Sequence, residues 1–363
     1  MLLKKLLLVL ITALSLHCAH ANEEKIVNFY NWADYVAPDT IANFEKEYGI
    51  KVNYDIYDTT DIVDAKLLAG QSGYDLVLHS SAFSARLIKA GIFQALDRSK
   101  LTNWHHLDPD LMNVLKAFDP GNRFAAPYMW GTTGIAFNID MLKARIPEVS
   151  LDNADFFFRP EILSRIADCG VSLLDGAIDA LPSMLIYLGH HGNSVDPGHL
   201  KKAEQAMKKL RPFIKYFSSG KMLIDMPNKE VCAAMSWSGD YSIAKRRAQE
   251  AGIDINLGFA MTSGAVHNWF DTLLIPADAP HSENAHLLIN YLLRPDVIAD
   301  ISNFTGYANG NLSATPLVDK AIKEDPAIYP DADVKSRLQP VLVYPPKIER
   351  ARTRAWTRIK TGI

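Results

Sequence analysis

Between Ile26 and Gly91 the chain alternates short apolar strands with amphipathic helices, and that order restricts the fold more than any other feature of the sequence. Ile26 to Tyr30 reads as a strand. Asp39 to Tyr48 reads as a helix, because Ile41, Phe44 and Tyr48 share one face and Gly49 is placed to end it. Ile50, Val52, Tyr54 and Ile56 alternate as a strand does. Asp61–Ala69 is expected to be helical up to Gly70, Asp75–Leu78 a short strand, and Ser84–Ala90 a helix closed by Gly91. A βαβα order implies an α/β fold with a mainly parallel sheet and helices on its faces.

The texture turns β-rich at "GTTGIAFN", Gly131–Asn138, and a second alternating region follows. It has expected helices near Ala180–Leu188, His199–Leu210 and Ser282–Leu293. Strands are expected near Val231–Ser236, Ile255–Ala260 and Phe270–Ile275. No repeat, low-complexity tract or long linker separates the two regions. Two such lobes without a linker imply several chain crossings. Ligands of open α/β sheets sit beyond the carboxyl ends of strands, so facing lobes would form a cleft there.

The first residues are expected to be a targeting segment. Lys4 and Lys5 precede an apolar run, Leu6–Leu16, too short for a bilayer span, and Ala19-His20-Ala21 offers a small-x-small cleavage site. Cleavage after Ala21 would leave 342 of the 363 residues for export. The residues before Cys18, Ser15 to His17, depart from a lipidation signal. Two lysines leave with the leader, so 36 basic residues face 41 acidic ones. A net charge of about −5 argues against phosphate-backbone binding, and hence against nucleic-acid partners. The basic run near the C-terminus, Lys347 to Lys360, reads as the solvated face of a last helix. Cys169 and Cys232 remain. In an oxidising compartment an even pair reads as a disulfide, with two buried thiols as the alternative.

Three segments couple a tryptophan to an aspartate: "YNWADYV" (Trp32, Asp34, with Tyr35), "WSGD" (Trp237, Asp240) and "WFD" (Trp269, Asp271). "GYANGN" adds Tyr307, and "LLDGAID" adds Asp175 and Asp179. If Trp269 starts a strand, it shares a face with Asp271, because side chains alternate. A carboxylate gives an ammonium charge-assisted hydrogen bonds, and an aromatic face attracts the same cation and packs on methylenes. A diamine needs an acid at each end and an aromatic slot between. One such segment would pass for core packing. Three that use half of the six tryptophans point to an organic-cation site.

Other chemistry finds little support. GxSxG and HExxH are absent, "SSGK" at Ser218–Lys221 has S-x-x-K spacing alone, and it lacks the rest of a P-loop. The adjacent pairs His105-His106 and His190-His191 read as surface or packing residues, so no metal or cofactor is expected. Acids among aromatic rings also suit sugars, which keeps a carboxylate-dependent hydrolase as the enzymatic alternative.

At several segments the chain resembles a known family. "YNWADYVAPDTIANFEKEYGIKV", "YDLVLHSS", "PYMWGTTGIAFN", "WSGD", "WFDTLLIPADA", "NYLLRPDV", "YANGN", "ATPLV" and "RTRAWT" resemble the periplasmic putrescine/spermidine-binding proteins of ABC importers, with the type II periplasmic binding fold. The resemblance implies a non-enzymatic, periplasmic, monomeric polyamine carrier that delivers its ligand to a membrane permease driven by an ATPase subunit. It implies two lobes, 25–132 with 258–303 and 133–257 with 304–363, joined by crossover strands. It implies ligand contacts from Trp32, Asp34, Tyr35, Ser80 and Asp179, and from Trp237, Asp240, Trp269, Asp271 and Tyr307. It also implies a disulfide between Cys169 and Cys232. A binding protein for a different solute is the nearest alternative. The chain departs from the putrescine type at Ala33, where a serine is common, at Asp179, where a glutamate is common, and at Trp269, where a phenylalanine is common. Trp269 resembles spermidine-preferring relatives and Asp240 the putrescine type.

Overall fold

A computed structural model describes residues 23–33, 35–57, 60–340, 342 and 344–362. The leader, its cleavage site after Ala21, and Asp34 lie outside the described residues. The strands are β1 (Ile26–Trp32), β2 (Lys51–Tyr57), β3 (Leu76–Ser80), β4 (Ala125–Asn138), β5 (Val171–Leu173) and β6 (Tyr216–Phe217), then β7 (Ala233–Trp237), β8 (Leu257–Ala260), β9 (Val266–Leu274), β10 (Ala308–Asn309) and β11 (Leu338–Pro340). Their main order is β2-β1-β3-β9-β4-β7-β5-β6.

The opening alternation folds as its pattern demands. β1 pairs in parallel with β2 and β3. The first helix, Thr40–Tyr48, ends at Gly49, whose left-handed backbone (φ 65°) suits a residue without Cβ. The helix Pro197–Leu210 starts on Asp196, whose carboxylate accepts from Gly198 N and His199 N, with proline at the first helical position.

β4 joins the two halves. Its 14 residues are all buried. Ala125–Thr132 pairs with β9, and Thr133–Phe137 pairs with β7, both antiparallel. Beyond β7 the sheet becomes parallel again through β5 and β6. One core lies under the first half-sheet, around Phe29, Leu76, Tyr128 and Leu288. Another lies under the second, around Phe157, Leu163, Leu185 and Met235. A third, with Trp130, Phe270, Ala234 and Tyr241, is shared behind the crossing strands.

Two short strands lie near the expected lobe boundaries. β8, at the expected start of the return to the first lobe, at 258, pairs with Ile135–Asn138 in the second half of β4. β10, in the stretch after 303 expected in the second lobe, pairs with Met129 and Trp130, and Ala314 and Val318 bury in the first core. Among the described residues after 303, Trp356 and Ile359 of the last helix, Pro346–Thr361, bury in the second core. Hydrophobic patterning identifies an element but not which sheet edge it completes. On that helix Arg358 pairs with Glu204 and Lys360 with Asp175 at the surface. Arg352 departs from a solvated basic face: it is buried, with its guanidinium 4.2 Å from the centre of the Tyr344 ring.

Cys169 and Cys232 are bonded to each other. They precede β5 and β7, which are neighbours in parallel pairing. The disulfide therefore ties together the bases of the two strands that lead to Asp179 and to Trp237–Asp240.

Candidate functional site

The expected residues gather at the carboxyl ends of strands. Trp32 ends β1, Ser80 ends β3 and Trp237 ends β7; Asp179 lies in the first turn of the helix Ala177–Tyr187 that follows β5, and Asp240 in the first turn of Ser238–Glu250 that follows β7. Trp269 and Asp271 alternate within β9 and share a face. Ser80 and Asp271 are direct cross-strand partners, so their side chains leave the sheet on the same side.

Each of three acids is held by an aromatic donor. Tyr35 Oη donates to Asp271 Oδ2 at 2.9 Å, and Tyr307 Oη donates to Asp240 Oδ1 at 2.6 Å. Trp237 Nε1 donates to Asp179 Oδ1 at 3.0 Å, and Thr133 Oγ1 donates to the same oxygen at 3.2 Å. The rings also meet one another. Tyr307 lies edge-on to both Trp269 (5.4 Å between centroids) and Tyr35 (5.7 Å). Tyr35 is fixed in turn by Tyr128, whose hydroxyl donates to its carbonyl at 2.6 Å. Trp32 stands on Tyr57, with ring centres 4.3 Å apart, and makes no hydrogen bond to the three acids. Tyr307 was expected on the second lobe. It packs in the first core and donates to Asp240 on the helix that follows β7.

Asp179, Asp240 and Asp271 are each 7% exposed. Burial pushes the Asp271 carboxyl up to about 7, with the Tyr35 hydrogen bond opposing. Burial likewise raises Asp179 and Asp240 to about 6, opposed by Trp237 and Thr133 at Asp179 and by Tyr307 at Asp240. Burial, followed by the nearby carboxylate charge, raises the phenols of Tyr35 and Tyr307 far above their ordinary value, so both stay protonated donors. Among the described residues no lysine, arginine or histidine forms an ion pair with any of the three acids. Their second oxygens accept no side-chain hydrogen bond there either. The arrangement is three acceptors without a cation, walled by rings that offer faces and edges. Among the described residues no group of three or more His, Cys, Asp or Glu could hold a metal ion. A groove of about 570 Å³ elsewhere, lined by Asp39, Glu47 and Asp296, already holds a cation, Arg294, paired with Glu47 and Asp296.

Several contributors escaped the sequence reading. Thr133 lay inside the quoted "GTTGIAFN", but a threonine in a strand carries no signal of its own. Gly239, inside "WSGD", was passed over. A Cβ placed on it would lie 2.3 Å from the Tyr307 ring, so the phenol can cross the helix start only over a glycine. A glycine beside a site tryptophan was the available clue.

Residues 39–330 match the bacterial extracellular solute-binding protein family. The chain belongs to that family. As a member, this solute-binding protein is 46% identical over 344 residues to the putrescine-binding periplasmic protein PotF of Escherichia coli, with 94% of this chain and 93% of that one covered. It is 37% identical over 322 residues to the spermidine/putrescine-binding periplasmic protein of the same organism, with 88% of each covered. Among solved structures it resembles the spermidine/putrescine ABC transporter substrate-binding protein PotD of Streptococcus pneumoniae, with a TM-score of 0.81, 28% identity and coverage of 93% and 99%. Among the described residues no helix is long and apolar enough to cross a membrane.

Proposed function

We propose that this solute-binding protein captures a polyamine between its two lobes and hands it to the permease of an ABC importer in the periplasm. The observation that carries the reading is the set of three buried acids, each with one oxygen fixed by an aromatic donor and none ion-paired among the described residues. A linear di- or triamine supplies the missing charge, and its methylenes fit against Trp269, Tyr307 and Trp32. The names of the relatives point to the same ligand class.

In this reading the first lobe carries Trp32, Asp34, Tyr35, Ser80, Trp269, Asp271 and Tyr307, and the second carries Asp179, Trp237 and Asp240. A ligand that touches both has higher affinity for the closed arrangement and draws the lobes together. The protein catalyses nothing and acts as a monomer; the ATPase subunit supplies the energy of transport. Trp269 favours spermidine and Asp240 favours putrescine, so we read the protein as a carrier of both.

The test is a thermal-shift panel of putrescine, cadaverine, spermidine and spermine on protein unfolded and refolded to strip co-purified ligand. Calorimetry on Asp240→Asn and Asp271→Asn follows. Removing a buried charge that pairs an ammonium costs on the order of 2–5 kcal/mol, so each variant should bind at least about tenfold more weakly. Unchanged affinity in both would sink the assignment.

A further inference from the structure

Trp269 has an unusual seat. Its Nε1 is buried and finds no hydrogen-bond partner. The indole is therefore placed by packing alone, with Tyr307 at its edge and the backbone of β4 beneath it. The residue directly across the ladder from Trp269 is Gly131, and cross-strand partners in an antiparallel pair project to the same face. Gly131 is not in a conformation that requires glycine, since its φ is not positive. Its reason must lie in space. A Cβ built there would lie 2.6 Å from Trp269 Cζ2 and 3.1 Å from Cη2. Those two atoms belong to the outer ring of the indole, which a phenyl group at 269 would not possess.

We propose that Gly131 is a specificity-determining residue: by giving up its side chain it admits an indole at 269 and sets how far that wall stands into the polyamine slot. The inference rests on the polyamine reading of the site. A methyl group at 131 leaves the indole only one way to go. The strand is behind it, so the ring tilts away from β4 toward Tyr307 and narrows the slot. The other close atom, Ser238 Oγ at 2.8 Å, accepts from Thr132 N at 3.3 Å; it can turn aside only by giving up that bond, a cost that is the same whichever ring stands at 269. Close-packed interiors do not absorb an added methyl without displacing a neighbour.

The experiment is a double-mutant cycle on the full mature chain: wild type, Gly131→Ala, Trp269→Phe and the double variant. Putrescine and spermidine affinities come from calorimetry, with tryptophan emission and thermal midpoints on the same samples. Gly131→Ala should weaken both ligands about tenfold or more while Trp269 is present, and less than about threefold in the Trp269→Phe background. Its emission should shift, because the indole moves. Equal losses in both backgrounds, or no loss beside Trp269, would overturn the proposal. If Gly131→Ala alone fails to fold and the double variant folds and binds, the contact is upheld; if neither folds, it is refuted. Wild-type protein that binds neither polyamine refutes the proposed ligand class instead, and the cycle in emission and midpoint still decides whether Gly131 seats the indole.

Discussion

Acidification should weaken polyamine binding, because the buried acids of the site then take up protons. An ammonium is held only by ionised acids, and an alkyl amine with a pKa near 10 keeps its charge throughout the range considered. Asp271 titrates at about 7, and Asp179 and Asp240 at about 6. At pH 8 roughly nine-tenths of the molecules have all three ionised. At pH 6 roughly one-eleventh of Asp271 and half of each other acid is ionised, so only about one molecule in forty is ready to bind. The apparent affinity for putrescine should therefore fall about fortyfold from pH 8 to pH 6. Other buried groups nearby do not interfere: burial holds His79 and His267 down to about 3, and burial raises Tyr35, Tyr57, Tyr128 and Tyr307 far above this range. The stability effect has the opposite sign. Folded-state values above the unfolded one mean that the folded protein keeps protons which the unfolded chain releases. The three acids alone thus add to ligand-free stability as pH falls from about 8 toward 4, by about 4 kcal/mol for Asp271, while His79 and His267, held neutral in the fold, subtract from it below about pH 6.5 and offset most of that gain. Calorimetry at four pH values, with thermal midpoints with and without putrescine, reads both. Affinities within about threefold of each other at pH 8 and pH 6 would refute the reasoning.

Two further outcomes are expected. Tyr307→Phe removes the 2.6 Å bond to Asp240, so binding should weaken by about 1–3 kcal/mol and its pH dependence should move upward, because that bond holds the Asp240 carboxyl down; a pH-resolved titration checks it. Replacing Cys169 and Cys232 by serine should cost about 4 kcal/mol of stability through a loop with a sequence separation of 63, seen as a lower denaturant midpoint that added reductant no longer changes.

Much of this site was legible because its residue types are costly to place. A tryptophan two or three residues from an aspartate, repeated in three segments, is hard to explain as core, and the strand period alone puts Trp269 and Asp271 on one face. What the sequence hid were contacts between distant segments. Tyr307 and Asp240 are 67 positions apart, and Tyr35 and Asp271 are 236 apart. Nothing local distinguishes a tyrosine that clamps an acid from one that fills a core. The pairing of the shortest strands was hidden for a related reason. β8 and β10 are short, and their hydrogen-bond partners on β4 are chosen by tertiary packing rather than by local pattern.

The place of β9 bears on how the chain acquires its fold in time. β9 fills the gap between β3 and β4, yet it follows them by more than a hundred residues. A chain emerging from its N-terminus makes β1 to β4 early and cannot close that sheet until residue 274 of 363 has arrived. The second core waits longer still, for Trp356 and Ile359. Neither lobe is a segment that can finish first. Such non-local pairings make folding slow and collective, and so lengthen the interval in which the chain remains threadable; under the proposed periplasmic role, that is the interval in which it would cross a membrane.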